Sequence, residues 1–164
     1  MKAEITIDIE KQQLQLTGEQ GRFIYNISSA KNGVGEQNGS EQTPRGRHII
    51  RAKIGTGLPV NTVFVARRPS GEIYSSELCS QYPQRDWILS RILWLSGLDV
   101  GYNRLGKVDT MRRYIYIHGA PDDHPMGVPS SHGCIKMANH DLIELFELVE
   151  VGTPVMIMEN TVCP

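Results

Sequence analysis

Ile5, Ile7 and Ile9 alternate with polar residues near the start of the chain, and Leu14 and Leu16 resume the alternation after Glu10, Lys11, Gln12 and Gln13. A period of two marks a half-buried strand, so an antiparallel hairpin is predicted here. Further strands are predicted at 22–28 (RFIYNIS), 47–54 (RHIIRAKI), 62–68 (TVFVARR) and 71–76 (GEIYSS), the last two flanking a Pro69-Ser70 turn. Residues 30–46 are dense in Gly, Asn and Ser and read as a long, mobile loop. The stretch 112–119 (RRYIYIHG) alternates as a strand that ends on His118, and 153–159 (TPVMIME) closes the pattern. Two stretches carry a helical period instead. The first is 86–97 (DWILSRILWLSG), with Asp86 as a candidate N-cap, Gly97 at its end, and Trp87 and Trp94 on one core-facing side. The second is 139–152, capped by Asn139, with Leu142, Ile143, Leu145, Phe146 and Val149 forming one apolar stripe. Strand outweighs helix and no repeat or linker interrupts the pattern. One α+β domain, mainly β, is expected over residues 1–164.

Composition agrees with a folded domain. The chain has 164 residues, 40% hydrophobic and 21% charged, enough to bury a core without staples. Its 17 basic and 18 acidic residues leave a net charge of −1, which gives nucleic acid no electrostatic hold. The most apolar run carries Arg91 and Asp99, so no membrane span is expected. Three widely spaced cysteines, Cys79, Cys134 and Cys163, suit a reducing compartment better than a disulfide framework. The N-terminal alternation lacks the uninterrupted apolar run of a secretory leader. A cytoplasmic location is the expectation, and a periplasmic one if a leader has been removed.

The chemistry concentrates in VPSSHGCIKMANHD, residues 128–141. A nucleophilic cysteine needs a base and donors for the oxyanion that forms when it attacks a carbonyl. Cys134 lies in a glycine-containing loop just before a helix, and Gly133 removes the side chain beside it. His118, at a strand end and followed by Gly119, is the natural base, with the Gly119 carbonyl free to orient the ring. From spacing alone, a packed structural cysteine and a strand-end histidine fit equally well. A zinc site drawn from His118, His124, His132, His140 and Cys134 is the competing chemistry, but no H-E-x-x-H or paired C-x-x-C spacing supports it. Basic residues gather at Arg45, Arg47, Arg51 and Lys53, at Arg67-Arg68, and at Arg112-Arg113. One of the last pair would share the face of His118 and could dock an acidic group.

YIHG at 116–119, SSHGCIKM at 130–137 and the following N-x-D helix with GTPV together resemble the L,D-transpeptidase catalytic domain of the YkuD type. The stretch KNGVGEQNGSEQTPRGRHII is similar to that family's glycine-rich loop and Thr-Pro-x-Gly turn, so the likeness covers roughly 22–159. The resemblance implies a YkuD-like fold, a β-sandwich or mixed sheets with two helices. It makes Cys134 the nucleophile, His118 the base and acid, and Gly119 the orienting group, with Gly133 and Cys134 amides as the oxyanion hole. Ser131, His132, Lys136 and Tyr116 are the implied substrate-binding residues, and Arg113 joins them from the alternation beside His118. Lys136 stands where the family commonly has arginine or asparagine, which puts bidentate carboxylate recognition at that position in doubt. No cofactor or metal is implied.

The implied substrates are peptidoglycan stem peptides or muropeptides, cleaved between diaminopimelate and D-alanine through a thioester. Carbapenem-type inhibitors would acylate the same thiol. A cytoplasmic enzyme meets soluble fragments and water, so tetrapeptide-to-tripeptide L,D-carboxypeptidation in muropeptide recycling is expected. Cross-linking by L,D-transpeptidation is the alternative, and a non-catalytic binding module on the same fold is a third.

Overall fold

The computed structural model describes residues 2–159, which excludes the Cys163 thiol. β1 (Glu4–Asp8), β2 (Gln13–Gly18) and β3 (Gly21–Ser28) form the predicted meander. Ile5 stands opposite Leu16 and Ile7 opposite Leu14, and all four are buried because the period-two pattern puts them on one face. β4 (Gly46–Ile54) follows the glycine-rich loop. β5 (Thr62–Val65) and β6 (Arg68–Ile73) make a hairpin, and the short α1 (Ser76–Gln81) starts on a Ser75 cap whose hydroxyl accepts the Leu78 N–H at 3.1 Å. β7 (Leu89–Gly97), β8 (Tyr116–Ala120) and β9 (Ile135–Ala138) lead into α2 (Asn139–Leu148), and β10 (Pro154–Met158) ends the domain.

The ten strands form one mixed sheet in the order β4-β10-β1-β2-β3-β9-β8-β7-β5-β6. β4 also pairs with β7, so eight strands close into a ring and the β5–β6 hairpin projects beyond it. Closure removes exposed edges along the ring. Two pairings are parallel, β1 with β10 and β8 with β9; the others are antiparallel. α2 packs on β7, β8 and β9, setting Leu142, Leu145 and Phe146 against Leu93, Ile117 and Ile135 in the main core. Lys53 Nζ lies 4.2 Å from the Phe146 ring centroid and donates to the Phe146 and Val149 carbonyls at 2.6 and 2.7 Å, capping the end of α2.

The helix expected at 86–97 is a strand. Eight of the nine residues of β7 are buried, because α2 covers one side and Phe64 and Tyr116 the other. A strand buried on both faces loses its alternation and reads like a helical core segment. Trp87 and Trp94 therefore share no helix face: Trp87 packs with Val63 and Leu89, whereas Trp94 stacks edge-on to Tyr116 at 5.8 Å. Asp86 caps no helix. The hairpin turn also lies earlier than predicted, at Ala66-Arg67 rather than Pro69-Ser70, since Val65 pairs with Arg68. Both turn residues have positive φ, +48° and +65°, the left-handed geometry of a two-residue hairpin.

Two further expectations change. Asn139 does not cap α2; the cap position is Ala138, and the buried Asn139 amide turns into a polar network instead. The 30–46 loop is tied down rather than free. Arg113, placed in a turn before β8, donates to the Gly35, Glu36 and Gln42 carbonyls and the Ser40 hydroxyl at 2.6–3.3 Å. Arg45 clasps the Glu36 carboxylate at 3.0 and 3.1 Å.

Candidate active site

Two adjacent parallel strands assemble the site. Ile117 pairs with Ile135 and His118 with Lys136. Alternation sends Ile117, Ile135 and Met137 into the core, so Tyr116 and His118 on β8, with Cys134 and Lys136 at β9, face the other way. The register thereby brings together the two residues the sequence singles out. Cys134 and His118 line one cleft of about 240 Å³, with Arg67, Tyr114, Tyr116 and Ser131 around them and Asp86 and His132 also on its wall. A larger groove of about 600 Å³, between the β2–β3 turn and the α2–β10 connection, contains neither cysteine nor histidine. The candidate residues line the smaller one.

His118 is buried, and its Nδ1 stands 2.7 Å from the Gly119 carbonyl oxygen. A carbonyl can only accept, so the proton sits on Nδ1 and Nε2 carries the lone pair. Nε2 makes no hydrogen bond among the described residues. Burial lowers the pKa of this imidazole, outweighing the Gly119 carbonyl, so the ring is neutral at pH 7. Gly119 is required sterically: a Cβ there would lie 2.2 Å from Asn139 Oδ1 and 2.6 Å from the Leu89 carbonyl oxygen. Asn139 Oδ1 accepts from Ser90 Oγ at 2.6 Å, and its Nδ2 reaches Ala120 O, Asn61 Oδ1 and Asp122 Oδ1 at 2.9–3.1 Å. That network packs directly behind the carbonyl that orients His118.

Cys134 is half-buried. Its thiol donates to the Tyr114 carbonyl and accepts from the Tyr116 N–H, both at 3.3 Å. Burial pushes the thiol up to about 12, with the Tyr116 amide, Lys136 and Arg113 pulling the other way and Asp86 adding to the rise. The resting pair is thus thiol and neutral imidazole, not an ion pair.

The loop that carries Cys134 is braced from three sides. Gly133 has φ +135°, and a Cβ there would approach Ile115 Cδ1 to 3.0 Å. The Thr43 hydroxyl donates to the Gly133 carbonyl at 2.9 Å, and Lys31 N–H donates to the Ser131 carbonyl at 2.9 Å. Ser131 is buried; its hydroxyl donates to the Cys134 carbonyl and accepts the Gly133 N–H at 3.1 Å. The Gly133 amide, expected in the oxyanion hole, is therefore engaged by Ser131 in this state. Thr43 had no assigned role in the sequence, although its Thr-Pro-x-Gly setting was the available signal.

The remaining candidates spread out. His132 is exposed and stands 3.7 Å from the Asp86 carboxylate. Lys136 is half-buried beside His118. The Arg113 guanidinium holds the glycine-rich loop, so it does not offer the free cation that strand alternation implied. The Tyr116 hydroxyl accepts from Arg67 Nη1 at 3.0 Å, which brings Arg67 into the cleft; the sequence had grouped it only with Arg68 as a basic pair. For the zinc alternative, His124 Nε2 bonds Ser130 Oγ at 2.9 Å and His140 pairs with Asp141 at the surface. Among the described residues, no three His, Cys, Asp or Glu side chains converge as a metal cage would. Likewise, no described helix is long and apolar enough to cross a membrane.

Comparison with known proteins finds likenesses to L,D-transpeptidases. The chain is 40% identical over 50 residues to the probable L,D-transpeptidase YbiS of Escherichia coli strain K12, covering 30% of this chain and 16% of that protein. It is 34% identical over 61 residues to the putative L,D-transpeptidase YqjB of Bacillus subtilis strain 168, covering 37% and 33%. Among solved structures, an L,D-transpeptidase from Mycobacterium smegmatis superposes with a TM-score of 0.59 at 17% identity, over 96% of this chain and 58% of that one. L,D-transpeptidase 3 from Mycobacterium tuberculosis, solved with a faropenem-derived adduct, gives 0.59 at 16% identity, over 96% and 60%. At such identities the likeness to the solved structures speaks for the fold, and this chain spans less than two thirds of each relative. The family model for the L,D-transpeptidase catalytic domain, YkuD, matches residues 2–157, nearly the whole length, and the chain belongs to that family.

Proposed function

We propose that the protein is a cysteine acyltransferase that opens the bond between the L-centre of diaminopimelate and D-alanine in peptidoglycan stem peptides. One observation carries the reading: His118 keeps Nε2 unengaged in the same cleft as the Cys134 thiol, with its other nitrogen fixed on the Gly119 carbonyl. In the first step the thiol turns from the Tyr114 carbonyl, and its proton passes to Nε2 as sulfur bonds to the carbonyl carbon. The oxyanion is met by amide hydrogens of the 133–134 turn once Ser131 releases Gly133. The C–N bond then breaks, Nε2–H protonates the departing D-alanine amine, and a thioester remains. Water, deprotonated by His118, attacks that thioester; the C–S bond breaks, sulfur regains its proton and the tripeptide leaves. Starting from a neutral pair suits this sequence, because a proton must move with each bond change.

Hydrolysis is the proposed outcome. A cleft of about 240 Å³ holds the groups flanking one scissile bond. Water needs no further site, whereas an acceptor stem must dock along the open rim. Soluble muropeptides in the cytoplasm are the proposed substrate pool. Cross-linking is the second reading, favoured by the names of the relatives. Incubation with a disaccharide-tetrapeptide, followed by mass spectrometry, separates the outcomes. Tripeptide alone supports carboxypeptidation, a dimer supports transpeptidation, and intact substrate with folded protein defeats both. A carbapenem should add its mass once, at Cys134, and leave Cys134→Ser unmodified.

A further inference from the structure

The turn between β5 and β6 places an arginine where the backbone resists one. A two-residue hairpin of the type I′ kind demands positive φ at both centres, a demand Asn-Gly meets most easily. Here Ala66 and Arg67 adopt it, and Arg67 thereby lines the cleft with Tyr116, His118 and Cys134. Side chains held in sparsely populated backbone regions concentrate at functional sites.

The guanidinium is aimed by three contacts and neutralised by none of them. Nη1 donates to the Tyr116 hydroxyl at 3.0 Å, and the guanidinium carbon stands 4.5 Å from the Tyr114 ring centroid and 5.2 Å from that of Trp94. Elsewhere Arg45, Arg47 and Arg85 each meet a carboxylate, from Glu36, Asp99 and Glu72. Among the described residues no carboxylate pairs with Arg67. Asp86, the acid on the same cleft, stands beside His132 instead. A half-buried guanidinium, oriented by rings and lacking a counter-charge, is a carboxylate receptor: its planar fork matches the two oxygens of an anion.

We propose that Arg67 is the specificity-determining residue of the cleft, binding a free carboxylate of the acyl-donor peptide beside the scissile carbonyl. This rests on reading the cleft as a stem-peptide site. A tetrapeptide stem carries two such groups flanking the scissile bond, the D-centre carboxylate of diaminopimelate and the terminal carboxylate of D-alanine; a third, on the γ-linked D-glutamate, lies a residue further away. Both flanking groups present the same chemistry to the fork.

The test uses three tetrapeptides: the free acid, one with the D-centre carboxylate amidated, and one ending in D-alanine amide. Calorimetric affinities are measured for Cys134→Ser protein with and without Arg67→Gln, and wild-type turnover is followed in parallel. Arg67→Gln should weaken the free acid at least tenfold, and the effect should vanish for the one amide whose carboxylate Arg67 contacts. Arg67→Lys, which keeps the charge but not the fork, should fall between. Equal binding of all three peptides by both proteins overturns the proposal. So does an equal loss for all three, which would mark Arg67 as packing for Tyr114 and Tyr116 or as holding the more distant D-glutamate carboxylate. Turnover without the amide effect removes the role of Arg67 and leaves the enzyme. The amide effect without turnover removes the enzyme and leaves the receptor.

Discussion

Two buried histidines divide this molecule. His48 on β4 and His118 on β8 are each less than 2% exposed, each faces a carbonyl through Nδ1, and burial drives both pKa values down. They part at the other nitrogen. His48 Nε2 is held by the Thr110 hydroxyl at 2.9 Å, which makes the ring a bridge between β4 and the turn before β8. His118 Nε2 is left unengaged in a cleft that Cys134 also lines. Burial therefore supplies a neutral imidazole in either place; a base also needs an unengaged lone pair with room for a substrate in front of it.

The largest effect should come from removing that lone pair's owner. His118→Gln, which preserves bulk, is expected to lower the rate of D-alanine release by on the order of 10²–10⁴-fold while the denaturant midpoint moves little. The converse change tests the other half. His48→Ala should cost about 2–4 kcal/mol of folding stability, from a cavity and orphaned partners, with turnover per folded molecule retained. Urea unfolding and active-site titration measure the two quantities separately.

Acid sharpens the contrast further. His48 has a folded pKa of about 4 against an ordinary 6.5. Between those values the unfolded chain takes a proton that the folded one refuses. Stability is therefore complete above pH 6.5 and is lost as pH falls towards 4, by up to about 3 kcal/mol from this residue. Urea titrations at stepped pH should show the slope, and His48→Gln should flatten it. Because His118 is lowered as well, the acid limb of kcat/KM should fall below pH 6.5. The smallest effect separates the lone pair from its setting. Thr110→Val frees His48 Nε2 inside the fold, which should cost about 1–2 kcal/mol and leave the rate of D-alanine release unchanged.

Much of the site was legible because its signals are local. Gly-Cys after Ser-His, and His-Gly at a strand end, need no long-range information to stand out. Register then did the joining: β8 and β9 run parallel, so residues 118 and 134 line one cleft although sixteen positions apart. The fold was legible at its rim, where β1, β2 and β10 have one solvent-facing side and keep their alternation. It was illegible at β7, where cover on both sides erases the period. Arg113 shows the same limit. Its type and position suggested a substrate cation, yet three carbonyls of the 30–46 loop claim it, and no local pattern announces a distant carbonyl.

What the sequence alone determined is the family, and with it which thiol, which imidazole and which glycine make up the candidate site. Tertiary structure decided which groups remain available. It engaged the Gly133 amide and the Arg113 guanidinium, closed the ring through β4 and β7, and brought Arg67 over the cleft on a strained turn. The physical reason is that residue type fixes what a group can donate or accept, whereas only packing fixes whether a partner already holds it.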